Sequence, residues 1–204
     1  MYSLGVRHGF SDSPEEDLKE AHRLGSKAVE TDDAFGWSHT ALASANLMLG
    51  RHDEAVAAAT AAVRVQPSDA DAQAYLGFCL FWAGRPIEAL PYLESALRLD
   101  PRFHARTISW LGMAYFGMRR YDDAARMCEQ AVGPSGIIIH FSLAYLAACY
   151  SQLGRADDAS ARIGQLLERY PNFNIGMLKK LLPYKATADM EHLCAAVRAA
   201  GLPE

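Results

Sequence analysis

Small and apolar positions return along this chain about every 34 residues, and each return divides into two helix-like stretches. Leu76, Gly77 and Leu80 share one helical face, and after a polar break Ala89, Leu93 and Ala96 share another. The next unit repeats this with Ile108, Leu111, Gly112 and Tyr115, then Ala124, Cys128 and Ala131. A further unit has Leu143, Leu146, Ala147 and Tyr150, then Ala159 and Ile163. The earliest complete unit has His39, Leu42, Ala43 and Asn46, then Ala55, Ala59 and Ala62. Spacings of three and four predict amphipathic helices, two per unit. Ala55, Ala89, Ala124 and Ala159 lie 34, 35 and 35 positions apart. A fixed period of that length predicts stacked helical hairpins, because one hairpin is too small to bury its own apolar face. The expected result is a curved rod with a long concave surface.

The breaks between the helices repeat too. Gly50-Arg51, Gly84-Arg85 and Gly154-Arg155 place a glycine where a helix must end left-handed. Acidic residues follow at each second-helix start and complement its dipole. Pro67, Pro101 and Pro171 stop the second helices. Gly77, Gly112, Ala43 and Ala147 are small where the two helices must approach closely. Three departures stand out. Arg119 replaces the turn glycine, which predicts a differently shaped or strained turn. Val132-Gly133-Pro134-Ser135-Gly136 replaces a terminating proline and offers a place for the rod to bend. Pro91 falls early in a second helix, where its missing N–H is only partly tolerated. Residues 15–30 read as the second helix of an incomplete hairpin, capped by Ser13 or Ser11, with 2–10 as the end of its first helix. Residues 173–182 and 187–200 read as two cap helices without the motif.

These positions resemble the tetratricopeptide repeat, whose pattern is W-x2-L-G-x2-Y, then A-x3-F, then P. The likeness implies an all-α fold, a TPR-type α-α superhelix, that is, a right-handed solenoid of helical hairpins. It divides one 204-residue domain into a partial hairpin (1–35), four repeats (36–69, 70–104, 105–139, 140–173) and a helical cap (174–204). It also implies that first helices line the concave surface. The stripe pointing there holds Trp37, Ala41, Ser44 and Met48; then Asp71, Tyr75, Phe78 and Trp82; then Arg106, Trp110, Met113 and Gly117; then Phe141, Tyr145, Ala148 and Gln152. All three tryptophans fall on it, with Phe81 and Phe116 at its margin. The candidate partner-binding residues are therefore Trp37, Met48, Tyr75, Phe78, Trp82, Arg106, Trp110, Met113, Phe141 and Tyr145. The helix around 71–83 is apolar on both sides, so it is either buried or awaiting a partner. Packing against one another or under the 173–182 helix is the competing fate of these aromatics. Repeats that grip acidic chaperone tails carry Lys and Asn on these stripes. Thr40, Ser44, Tyr75 and Trp110 stand there instead, with only Arg106 keeping the needed charge, which argues against a carboxylate clamp.

Charge and chemistry narrow the function. A net charge of −4 without a basic stripe argues against nucleic acid. Cys79, Cys128, Cys149 and Cys194 form no CxxC pair and read as buried, reduced thiols of a cytoplasmic protein. No apolar run reaches the ~18 residues of a membrane span. The seven histidines show no ligand spacing, Asp122-Asp123 and Asp157-Asp158 sit at helix starts, and there is no phosphate loop or nucleophile elbow. No catalytic residue, metal or cofactor is expected.

A second likeness rests on 16–30, the Gly-Arg turns and the ending from Ala186 to Glu204. These resemble the C-terminal TPR region of bacterial class III adenylate/guanylate cyclases, and the similar tail of some winged-helix regulators. That likeness implies a regulatory region whose cyclase domain lies N-terminal to it, and the shortened first hairpin fits a piece of a longer protein. The expected function is a non-catalytic protein–protein interaction and regulatory module, the C-terminal part of a cyclase-like signalling protein, binding a protein or peptide or a second copy of itself. The alternatives are a secretion-type chaperone that holds apolar segments in the aromatic groove and a homodimerisation module.

Overall fold

The computed structural model describes residues 13–100, 105–132 and 139–204. Among these residues the chain is all-α, with eleven helices. They are α1 Pro14–Thr31, α2 Gly36–Met48, α3 His52–Val65, α4 Ala70–Trp82, α5 Pro86–Leu99, α6 Ala105–Gly117, α7 Tyr121–Ala131, α8 Ile139–Gln152, α9 Ala156–Arg169, α10 Ile175–Leu181 and α11 Thr187–Ala199. They gather into two compact units, Met1–Pro101 and Arg102–Glu204. In the first unit, α2 pairs with α3 and α4 with α5; α1 packs on α2, and α4 packs on both α2 and α3. In the second, α6 pairs with α7 and α8 with α9; α8 packs on α6 and α7, α11 on α8, and α10 on α11. The expected helix at 2–10, a cap at Ser11, the stop at Pro101 and the loop at 133–136 lie outside the described residues.

Close approach within the hairpins explains the small positions. A Cβ on Gly77 would stand 2.5 Å from Leu93 Cγ and 3.1 Å from the Ala89 carbonyl oxygen of α5. On Gly112 it would stand 2.7 Å from Cys128 Sγ of α7. Opposite them, Ala89, Leu93, Ala124 and Cys128 are fully buried. Native cores leave no room for the extra methyl.

The turns inside the hairpins share one geometry. Gly50, Gly84 and Gly154 take φ values of 76°, 78° and 72°. The amide after each closes the helix by donating to the carbonyl five residues back: Arg51 to Asn46, Arg85 to Leu80 and Arg155 to Tyr150, each at 2.9 Å. Of the two outcomes expected at Arg119, a differently shaped turn or a strained one, the structure shows the second. Arg119 adopts φ 63°, and Arg120 N donates to Tyr115 O at 2.9 Å, so the turn keeps its form. The hydrogen bonds of the flanking residues dictate the conformation, and Arg119 bears the backbone strain of a non-glycine residue in it.

The arginine after three of the four turns is structural, while Arg51 meets His22 Nε2 at 3.1 Å. Arg85 pairs with Glu88, Arg120 with Asp123 and Arg155 with Asp158, three residues on in each case. Arg120 and Arg155 also lie over the rings of Tyr115 and Tyr150, at 4.6 and 4.0 Å from the ring centroids. These exposed pairs fix turn geometry more than they add stability. Two buried polar residues, 34 apart, secure the starts of first helices. His39 Nε2 meets the Asp33 carbonyl at 2.8 Å, and Gln73 Nε2 donates to the Pro67 carbonyl at 2.8 Å. Asp69 caps α4, its carboxylate accepting from the amides of Asp71 and Ala72. Ser13 occupies the N-cap position of α1 without a side-chain capping bond. Pro91 sits inside α5, which continues through it to Leu99.

Candidate functional site

Each unit has its own first-helix stripe, on α2 and α4 in the first and on α6 and α8 in the second. In the first unit its outermost aromatic is Trp37, 48% exposed at the start of α2. Phe35, at the N-cap position just before, is 50% exposed. Beyond them the stripe closes in: Ser44, Met48, Tyr75, Phe78 and Trp82 are buried. The α4 aromatics form an edge-to-face ladder, with Tyr75–Phe78 centroids 6.2 Å apart, Phe78–Trp82 5.8 Å and Phe81–Trp82 4.7 Å. Such pairs hold the rings in fixed orientations beyond what area burial alone gives. Every residue of α4 from Ala72 to Trp82 is buried, which resolves the two-sided apolar pattern in favour of burial.

In the second unit, Trp110, Met113, Phe141 and Tyr145 are buried. The Arg106 guanidinium lies 4.9 Å from the Trp110 ring centroid, a cation–π contact at the start of α6. A buried hydrogen bond from Ser142 Oγ to Ser109 Oγ, 2.9 Å, joins α8 to α6. The stripe of α8 is occupied by another part of the chain. Tyr184, in the connection before α11, meets Tyr145 hydroxyl to hydroxyl at 2.5 Å. Burial holds both phenols above the ordinary tyrosine range, so both stay protonated and the bond is neutral. From α11, His192 lies 5.1 Å from the Phe116 ring and 6.1 Å from the Tyr121 ring, and its Nε2 meets the Tyr121 hydroxyl at 3.1 Å. Phe116 closes the cluster against Tyr145 at 5.4 Å.

The sequence pointed to 173–182 as the cover for this stripe. The cover is α11 with Tyr184, whereas Phe173 lies by His140 at the start of α8, 6.1 Å between rings. Phe116, Tyr121, Tyr184 and His192 are the participants that sequence reasoning left out. Their signal was present in part: Phe116 stands at the stripe margin, and Met190, Leu193, Cys194 and Val197 carry an i, i+3, i+4, i+7 face.

The four cysteines are buried. Cys128 and Cys149, distant in sequence, meet between α7 and α8, where their thiols hydrogen-bond; that contact and burial push Cys149 far above the usual thiol range. Burial pushes Cys79 up to about 12 and raises Cys194. Thiols held protonated in this way are poor nucleophiles. Among the described residues, no group of three or more His, Cys, Asp or Glu comes together to hold a metal. No helix among them is long and apolar enough to cross a membrane.

Three family models, each described as the tetratricopeptide repeat, match residues 40–102, 80–133 and 142–172. Similar solved structures include TTC0263, a thermophilic TPR protein of Thermus thermophilus, with a TM-score of 0.67 and 21% identity over 97% of this chain and 100% of that one. PilW, a widely conserved type IV pilus biogenesis factor, has a TM-score of 0.71 at 16% identity, covering 97% of this chain and 87% of its own. MamA from Desulfovibrio magneticus RS-1 has a TM-score of 0.62 at 20% identity over 84% of this chain and 98% of that one. At such identities the likeness establishes the fold. No curated protein matches the chain.

Proposed function

The chain is a tetratricopeptide repeat protein, and on that footing we propose that it is a non-catalytic interaction module that binds a protein or peptide along its first-helix stripe. The repeat fold is generally a scaffold for protein–protein contact, and its rigid helices are suited to presenting side chains in fixed positions. The observation that carries the reading is Trp37. A large aromatic that begins the stripe stands 48% exposed beside an equally exposed Phe35, while the candidate aromatics further along are buried. Exposed aromatics on a rigid element are the side chains that most often anchor a partner.

Among the candidate residues only Arg106 is charged, and its guanidinium lies over Trp110. An apolar or amphipathic segment therefore suits the stripe better than an acidic tail. The chaperone alternative requires Tyr75, Phe78 and Trp82 to be open, and they are buried. The cyclase-linked form of the reading rests on residues 16–30, the Gly-Arg turns and the ending from Ala186 to Glu204, and packing accounts for the last of these. Gly201 ends α11 at φ 98°, Leu202 is buried, and the Pro203 carbonyl accepts from the Ile175 amide at 2.9 Å. The reading stays at the level of an interaction module.

An array of amphipathic helical peptides tests this, probed with the full chain and with Trp37→Ala. The expected result is a set of apolar-faced binders whose affinity falls about tenfold or more in Trp37→Ala at unchanged helical circular dichroism. An array without binders, or binding indifferent to Trp37→Ala, would contradict it.

A further inference from the structure

The last helix is placed as a ligand would be. The apolar face of α11, made by Met190, Leu193, Cys194 and Val197, is buried, while Glu191, Ala195, Arg198 and Ala199 on the other side are exposed. It packs on α8, and its contacts reach Phe116 of α6 and Tyr121 of α7. Phe116 and Tyr121 themselves meet at 5.6 Å between ring centroids at the turn end of the α6–α7 hairpin, whose close approach lies further along at Gly112 and Cys128. The α11 helix follows the connection from Leu182 to Ala186, whose two ends have extended backbone, and among the described residues no second helix pairs with it to form a repeat hairpin. Its polar ties run both to α10 and to the hairpins. Lys179 of α10 pairs with Glu191 at 2.6 Å, and the tail accepts from the Ile175 amide, so α10 and α11 hold one another. Against α6–α8, the pair is held by the apolar face and by side-chain hydrogen bonds, Tyr184–Tyr145 and His192–Tyr121 among them.

We infer that the face of α8 beside Tyr145, bordered by Phe116 and Tyr121, is a binding site for an amphipathic helix, that α11 is its resident occupant, and that the partner is a helix of the same chemistry which displaces α11. The inference rests on the interaction-module reading and names the partner's class. An amphipathic helix laid in a groove is a recurring recognition mode, read through anchors at i, i+3 and i+7. The resident helix supplies the template: apolar side chains matching Met190, Leu193 and Val197, with an imidazole or amide at the position of His192 to reach the Tyr121 hydroxyl. Tethering gives the resident copy a high effective concentration, so the site admits a partner only when that partner outcompetes α11 or when α11 has opened.

The test is a titration of a fluorescein-labelled peptide spanning residues 186–204 with the full-length chain. The unaltered chain should bind weakly. The double variant Leu193→Ala, Val197→Ala, whose own helix competes poorly, should bind at least tenfold more tightly. A peptide carrying the same two changes should lose that binding. Where the double variant proves unfolded by circular dichroism, His192→Ala replaces it, with a severalfold gain expected. Absence of peptide binding to a folded, weakened chain would overturn the inference. So would a doubling of solution mass without peptide, because α11 would then be an arm exchanged between copies. Trp37 lies in the other unit, so the array and the titration fail independently. A failed titration with Trp37-dependent array binding sinks the inference and leaves the module reading intact.

Discussion

Arg119 holds the left-handed conformation that glycine holds at 50, 84 and 154. A residue with a Cβ is strained there by about 1–2 kcal/mol relative to glycine. Arg119→Gly should therefore stabilise the chain by about 1 kcal/mol, raising Tm by about 2–4 °C for a chain of this length. Gly154→Ala should do the opposite by a similar amount, and purely through the backbone, because an added Cβ there meets nothing within 4 Å. Denaturant midpoints check both. A midpoint for Arg119→Gly at or below that of the unaltered chain would show that the arginine side chain offsets its own strain. Legibility at this scale was uneven. The turn glycines and the small contacts at Gly77 and Gly112 were readable because a missing side chain has few explanations. The shape of the Arg119 turn was not, because hydrogen bonds from Arg119 and Arg120 back to Phe116 and Tyr115 set it, and these are invisible in the residue's identity.

The second helices show how packing overrides local preference. Pro91 lies inside α5 and is exposed, yet the helix runs on to Leu99 because Ala89, Leu93 and Ala96 bury its inner face. The proline removes one helical N–H and crowds the preceding turn at a site where its ring gains little packing. Pro91→Ala should therefore stabilise by about 1–3 kcal/mol, read as a rise in Tm. An unchanged Tm would mean that the ring does contribute packing or that the proline restricts the unfolded chain enough to offset the loss. Helix existence was legible throughout the described residues, since 3.6-residue periodicity is a local signal. The caps were less so. Asp69, which the pattern does not single out, anchors α4 through two amides, whereas Ser13 makes no side-chain capping bond. The destination of α11 was beyond the pattern. Periodicity shows which face of a helix is apolar, but not which helix receives it, and the Tyr121–His192 contact spans 71 residues.

At the scale of the molecule, the repeats explain why the candidate residues are mostly buried. Stacked first helices within a unit share their stripes with their neighbours, and in the second unit α11 packs on α8 as well. Among the aromatics at the stripes, Trp37 and its neighbour Phe35 stay accessible, and α11, on leaving, would uncover more. Local opening of one cooperative element, with the rest folded, is an ordinary property of native proteins. Hydrogen exchange on the full chain, resolved helix by helix, tests the claim that α11 is an occupant and not an integral layer. The account predicts that α10 and α11 exchange through an opening that leaves α6, α7, α8 and α9 protected. Exchange of α11 only together with α8, at the rate of global unfolding, would contradict it.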